Sequence, residues 1–288
     1  MIEIVNPMHP DKIADRIAGA MVDLAYKKQS QPKIAVEVLI GHGNAHIIAE
    51  TSVHLEIEEI KSIVKRISNE NVKVDYLEVP QDEHLANNQK ENLRCGDNGI
   101  FKGSPRTDEM YKLIYIARGI YDKFMADGKY ILSDDGIIIC QSHANKKDIE
   151  KLNILDDIKI EAINPLGDWT GGINVDTGAT NRKLGSDMGN AITGGGLHGK
   201  DLSKADVSVN IVCDLLARSY NIDVYAKCAI GDKKINFNIG NKKIITMSYS
   251  DVVYKAEQVI KKIGGFEKFA NWGLNYESPS MVTITKDL

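Results

Sequence analysis

The sequence predicts an α+β fold built from layered units of similar plan. Strand-like alternations come in pairs separated by single amphipathic helices. The 288 residues are enough for two or three domains with sizeable cores. Two aperiodic stretches, one polar and one glycine-dense, interrupt the periodic segments where loops are expected.

The elements follow in order. Ile13, Ile17, Ala20, Met21 and Leu24 recur at helical spacing behind Met8-His9-Pro10-Asp11-Lys12. Pro10 suits the first helical position, where its missing N–H costs nothing, so His9 and Asp11 sit on the lip of a rigid helix. Residues 33–40 alternate as a strand, with Ile34, Val36, Val38 and Ile40 on one side and Ala35, Glu37 and Leu39 on the other. Glu37 then shares a face with apolar neighbours, a costly place for an unpartnered carboxylate. Gly41-His42-Gly43-Asn44 is a turn, and 45–52 a return strand. Ile57, Ile60, Val64 and Ile67 mark a helix, and 72–79 a further strand.

Residues 81–94 are polar, without period, and read as a lid or disordered connection. Thr107 is placed to cap a helix running to Phe124. A hairpin joins 129–132 to 137–141 through Asp135-Gly136. The stretch 167–199 is glycine-dense, loop-like and the expected seat of chemistry. Helix returns over 203–220, strands over 224–230 and 234–239, and a helix over 251–263. No internal self-similarity amounts to a sequence repeat.

Composition narrows the function classes. A net charge of −4 gives no bulk electrostatic case for nucleic acid or an acidic membrane. No apolar run has the length of a membrane span, and the start lacks a signal-peptide pattern, so a cytoplasmic location is expected. The four cysteines (Cys95, Cys140, Cys213, Cys228) have neither C-x-x-C spacing nor dense pairing, which argues against structural zinc and disulfides.

Several short polar clusters, at 9–15, Glu37, Glu50-Thr51, 96–99, 127–129, 163–167, 176–183 and 194–206, stand in an order that resembles the S-adenosylmethionine synthetase (methionine adenosyltransferase) family. His9-Pro10-Asp11-Lys12-Ile13-Ala14-Asp15 matches its opening signature, followed by Glu37 and Glu50-Thr51. Gly96-Asp97-Asn98-Gly99 resembles Gly-Asp-Gln-Gly, and Asp127-Gly128-Lys129 resembles Asp-Ala-Lys. Ile163-Asn164-Pro165-Leu166-Gly167 precedes Asp176-Thr177-Gly178-Ala179-Thr180-Asn181-Arg182-Lys183, close to Asp-x-Gly-x-Thr-Gly-Arg-Lys. The run Gly194-Gly195-Gly196-Leu197-His198-Gly199-Lys200-Asp201, with Ser203, Lys204 and Asp206, completes the series. Each cluster alone is weak, but the ordered set is specific.

The resemblance implies three similar units of mixed sheet covered by helices, with sheets packing at a dimer interface. The units would be 1–100 with a lid at about 81–95, a shortened middle unit over 101–165, and 166–288, the chain interleaving between them. It implies sulfur attack by methionine on C5′ of ATP, release of triphosphate, then hydrolysis to phosphate and diphosphate. A thioether carries no proton, so the nucleophile needs no general base; the demand is cationic stabilisation of the departing polyanion. His9, Lys129, Arg182, Lys183, Lys200 and Lys204 would be catalytic. Asp127, Asp168, Trp169, Asp176 and Ile235 would join His9 and the lysine–arginine set on ATP. Glu50, Gln89, Asp176 and Lys204 would hold methionine, with Asn88 the alternative to Gln89. Asp11 and Asp206 would each hold Mg2+, and Glu37 K+. A homodimer with shared sites is implied, His9, Asp11 and Glu50 from one chain and the lysine–arginine cluster largely from the other, with higher assembly left open.

The sequence also departs from the family pattern. It is shorter between Lys129 and Ile163 and toward the C-terminus. Asn181 replaces a glycine, 184–191 do not match, and the last glycine run is one residue short before Lys200. A trimmed lid predicts poorer exclusion of water. The alternatives are a triphosphatase without alkyl transfer and a non-catalytic nucleotide-binding paralogue. Retention of Glu50, Asp176 and Lys204 argues against the first, and the complete set of charged catalytic groups argues against the second.

Overall fold

The structure is a computed structural model, and residues 1–88, 93–241 and 243–274 are described. The chain runs β1 (Ile2–Val5), α1 (Pro10–Lys28), β2 (Ile34–Gly41), β3 (Asn44–Thr51), α2 (Ile57–Ser68), β4 (Lys73–Val79), α3 (Glu83–Asn88) and β5 (Gly99–Gly103). It continues with α4 (Asp108–Phe124), β6 (Gly128–Ser133), β7 (Gly136–Gln141), α5 (Lys146–Glu150), β8 (Ile160–Ile163), β9 (Thr177–Ala179) and α6 (Leu184–Met188). The last elements are α7 (Ala205–Tyr220), β10 (Val224–Cys228), β11 (Lys234–Ile239), β12 (Lys243–Ser248), α8 (Tyr249–Ile263) and α9 (Phe266–Phe269).

The strands form three four-stranded sheets in the orders β1-β6-β7-β8, β12-β11-β10-β5 and β4-β3-β2-β9. Two are mixed: β3 pairs parallel with β4, and β7 parallel with β8. Strands are lent across long stretches of chain, since β1 pairs with β6, β5 with β10, and β9 with β2. This is the α+β architecture that the strand and helix periodicities predict.

Helix α1 is the hub. Ile13, Ile17, Met21 and Val22 are fully buried, in a core shared with β2, β3, α2, α7 and α9. Its small residues let neighbours approach: a Cβ on Gly19 would collide with the Phe266 carbonyl of α9. Thr107 caps α4 by accepting from the Met110 N–H, as expected.

Three expectations need correction. The apolar alternation of β2 puts Val36, Val38 and Ile40 against α1, so Ala35, Glu37 and Leu39 lie on the open face of the sheet. Glu37 shares that face with Leu39 and Ile48, but it is exposed rather than buried and is not unpartnered, since it accepts from the Thr180 hydroxyl. The stretch 167–199 is not all loop, since β9 and α6 form within it, held by β2 and the core. The polar stretch 81–94 contains α3.

Candidate functional site

His9 is the N-cap of α1, its Nδ1 accepting from the Asp11 N–H at 3.2 Å. Asp11 is buried in the first turn, where the helix dipole favours a carboxylate. Its Oδ1 accepts from the Ala179 N–H at 2.9 Å, and its Oδ2 from the Lys183 ammonium at 2.6 Å. Arg182 stands 3.7 Å from Oδ1. This convergence requires glycine at 178, where a Cβ would strike the Pro10 carbonyl. Burial, then the nearby Lys183, lowers the His9 pKa to about 4; the imidazole is neutral at pH 7.

A second lip lies at the start of α7. Lys204, the N-cap, makes no side-chain capping bond. The first-turn Asp206 N–H instead donates to Asp97 Oδ2 at 3.2 Å. Burial, then the Asp206 charge, raises the Asp97 pKa. The Asp206 carboxylate accepts from Lys200 at 2.6 Å. Gly195 passes so close to Asp206 that a Cβ would overlap its carboxylate, and Gly196 packs on the Asn181 side chain. The second glycine run is thus a close-fitting cradle between the two lips.

Asn181 has φ of 63°, a left-handed conformation that asparagine tolerates better than most residues. This accounts for its standing where the resembled family has glycine. Its side chain accepts from the His198 N–H at 2.8 Å and donates to the His198 carbonyl, tying the arginine–lysine turn to the glycine run.

Behind the lips lies a buried charge cluster that sequence reasoning missed. Lys12 Nζ is 2.6 Å from Asp187 and 3.0 Å from Asp15, and His198 Nε2 is 2.8 Å from Asp187. Asp15 also accepts from the Asn181 N–H. Burial alone would raise the Asp187 pKa, but Lys12 and His198 outweigh it and hold the carboxyl below its ordinary range. Asp15, Asp187 and His198 have metal-ligand spacing, yet the Lys12 ammonium already supplies the cation there. The only signal available was their odd position, charged residues inside an apolar helix pattern and beside a glycine run.

On the His9 side, Asp127 is buried and accepts from the Gly172 N–H at 3.0 Å. Burial, then the charges of Asp176 and Asp11, pushes its pKa up to about 6. Asn6, Tyr130 and Gln141 form a buried network beneath it, Gln141 Nε2 donating to the Ala126 and Asp127 carbonyls. Asn164 anchors the next loop: its Oδ1 accepts from the Gln141 N–H and from the Trp169 indole N–H at 3.1 Å. Trp169 is 37% exposed, leaving ring surface free. Asp168 beside it is exposed. Asp176 is also exposed, its charge felt by both His9 and Asp127.

The remaining expected residues lie as follows. Lys129, on β6, pairs with Glu3 at 2.8 Å and its charge reaches His9. Glu37 and Glu50 share the open face of one sheet. Ile235 is fully buried in the core with Phe237, Met247 and Tyr249, so its side chain is not presented to a ligand; strand parity puts Lys234 and Asn236 outward instead. Gln89 lies outside the described residues. Asn88 donates to the Cys95 carbonyl at 3.2 Å. The expected division of groups between subunits also changes: Arg182 and Lys183 reach Asp11 of their own chain, because β9 hydrogen-bonds to β2 and delivers them there.

Asp11 and Asp206 each pair with one lysine at 2.6 Å, and Arg182 stands close to Asp11 as well. If those ammonium groups move to phosphate oxygens, each carboxylate gains a free oxygen. Mg2+ is commonly held by one or two carboxylates together with substrate phosphates. The donor set fits that ion.

Comparison with known proteins agrees with the geometry. Residues 1–86 match the family model described as S-adenosylmethionine synthetase, N-terminal domain. The chain is 27% identical to an S-adenosylmethionine synthase of Borreliella afzelii, over 75% of this chain and 72% of that protein. It is 24% identical to that of Mycoplasmopsis synoviae over 92% and 80%. An unusual S-adenosylmethionine synthetase from Campylobacter jejuni superposes with a TM-score of 0.64 at 19% identity, covering 94% of this chain and 87% of that one. The resemblance read from the sequence stands, and the fold is the S-adenosylmethionine synthetase fold.

Proposed function

We propose that this protein makes S-adenosylmethionine from ATP and L-methionine, then hydrolyses the released triphosphate to phosphate and diphosphate. One observation carries the reading. Two carboxylates at two helix N-termini, Asp11 and Asp206, are each held at 2.6 Å by a lysine ammonium, that of Lys183 and that of Lys200. Such pairs are suited to exchange a carboxylate for a phosphate without leaving either charge unpaired.

The reaction asks little of acid–base groups. The methionine sulfur displaces the triphosphate from C5′, so negative charge accumulates on the leaving oxygen and the polyphosphate chain. Lys129, Arg182, Lys183 and Lys200 supply positive charge there, and preorganised charge of this kind is usually the largest catalytic contribution. His9, neutral at pH 7, donates a hydrogen bond to the triphosphate without titrating. Trp169 stacks on adenine, and Asp127, with Asp168 nearby, contacts the nucleoside. Glu50 and Asp176 hold the methionine ammonium group, and Lys204 its carboxylate; Gln89 is a further methionine contact. Asp11 and Asp206 would hold Mg2+, which supplies charge neutralisation of the polyphosphate, and Glu37 would hold K+.

A homodimer is the working unit in this reading, since one protomer's open sheet faces are partly apolar. Leu39, Ile48 and Leu77 are each about half exposed on one such face, and large apolar faces of this kind mark interaction surfaces. The domain division at about 100 and 165 and a cytoplasmic setting belong to the same proposal; among the described residues no helix is long and apolar enough to cross a membrane.

Incubating purified protein with ATP, methionine, Mg2+ and K+ tests the reading. Mass spectrometry should detect the sulfonium product together with phosphate and diphosphate. Phosphate release without sulfonium would convert the assignment to a triphosphatase, and neither product would leave a binding protein.

A further inference from the structure

Cys95 and Cys228 are 133 residues apart in sequence, yet their sulfurs lie 3.1 Å from each other. This is closer than ordinary non-bonded contact and about 1 Å longer than a disulfide bond. The fold creates the pair: β10 ends at Cys228, in register with Gly99 of β5, and the 95–98 turn folds back beside it. The turn is held firmly, the Cys95 N–H donating to the Asp232 carbonyl and the Gly231 N–H to the Cys95 carbonyl. Both thiols lie within hydrogen-bond reach of the Asp97 carbonyl, at 3.1 and 3.5 Å. Cys95 is fully buried and Cys228 is half-buried, so the Cys228 residue is partly open to solvent.

We propose that Cys95 and Cys228 form a redox-active dithiol, a covalent modification site converted to an intramolecular disulfide by a low-molecular-weight disulfide such as glutathione disulfide. One protein thiolate attacks a sulfur of the small disulfide and expels a thiol, leaving a mixed disulfide. The neighbouring thiolate then attacks the protein sulfur of that mixed bond and expels the second thiol. The protein loses two electrons and two protons, and the small disulfide gains both.

Other observations support the pair. The hydrogen bond between the sulfurs lowers the Cys95 pKa and raises that of Cys228, so the first proton leaves Cys95 while Cys228 keeps its own. Among the described residues no histidine or carboxylate joins the two sulfurs in a set with metal-ligand spacing, so a dithiol fits better than a metal centre. The other two cysteines are differently placed: Cys213 is buried on α7 in the core of the β12-β11-β10-β5 sheet and Cys140 lies on β7. Bond formation removes both S–H donors from the Asp97 carbonyl and fixes β10 to the turn whose Asp97 carboxylate accepts from Asp206.

The test uses the full native chain and does not depend on the proposed activity. The protein is equilibrated with excess glutathione disulfide without denaturant, then alkylated, denatured and digested. Free thiols should fall from four to two per chain, the mass should drop by two hydrogen atoms, and one peptide should link Cys95 to Cys228. The oxidised form should melt roughly 5 °C or more above the reduced form. Cys140→Ser should still form the bond. Cys228→Ser should not, and Cys95→Ser provides a second variant should the first fold poorly. Four thiols surviving oxidation, a bond to Cys140 or Cys213, or links between chains instead would overturn the proposal.

Discussion

Replacing Lys12 with methionine tests whether the buried cluster holds the two lips together. Lys12 is 2.6 Å from Asp187 and 3.0 Å from Asp15, with no more than 2% of any of these side chains exposed. Methionine keeps the stem and removes the charge, leaving two buried carboxylates without their cation. Breaking a buried pair in this way costs about 3–5 kcal/mol. His198 stays beside Asp187, which argues for the lower end, about 3 kcal/mol. Urea unfolding at pH 7, followed by far-ultraviolet circular dichroism, should show that loss. A loss below about 1 kcal/mol, the range of exposed pairs, would show that Lys12 does not hold the two carboxylates as a buried ion pair. Lys12→Met with Asp187→Asn should recover part of it. Since the Asp187 pKa is depressed in the folded state, its stabilising contribution is present above the ordinary carboxylate value and fades as pH falls through the folded one. Wild type and variant should therefore converge below about pH 4.

Asp127 has its pKa raised to about 6, so its stability contribution is complete below the ordinary carboxylate value and lost as pH rises through about 6. Asp127→Asn should stabilise the protein at pH 8 by roughly 1–3 kcal/mol while weakening nucleotide binding; calorimetric melting at pH 4 and pH 8 checks the sign. His9, lowered to about 4, costs stability as pH falls from 6.5 toward 4. NMR titration should find its ring neutral down to about pH 5, with added tripolyphosphate raising the midpoint. Lys129→Met should reduce turnover by about two to three powers of ten, the range for one preorganised donor. Its half-exposed pair with Glu3 contributes little to stability, so thermal unfolding should barely move.

The helices and paired strands were legible because their apolar spacing is strong. Ile34, Val36, Val38 and Ile40 fix both β2 and its inward face, and Thr107 fixes the start of α4. Short strands were not legible: β1, β5 and β9 depend on partners far along the chain. Nothing local in Thr177–Ala179, for example, announces pairing with β2. The family-like motifs located the two lips, Asp11 with Lys183 and Asp206 with Lys200. They did not show that Arg182 folds back onto its own chain's Asp11, nor that Ile235 turns inward, since both depend on tertiary packing. The Lys12–Asp15–Asp187–His198 cluster and the Cys95–Cys228 pair stayed hidden for the same reason: each joins residues that only the fold brings together.

The most direct measurement of the central claim is a structure of the protein with Mg2+ and a non-hydrolysable ATP analogue. The Lys183 and Lys200 ammonium groups should leave Asp11 and Asp206 and lie within hydrogen-bond reach of phosphate oxygens, with the two carboxylates turned to metal. A nucleotide bound elsewhere, with both lysine–aspartate pairs intact, would contradict that claim.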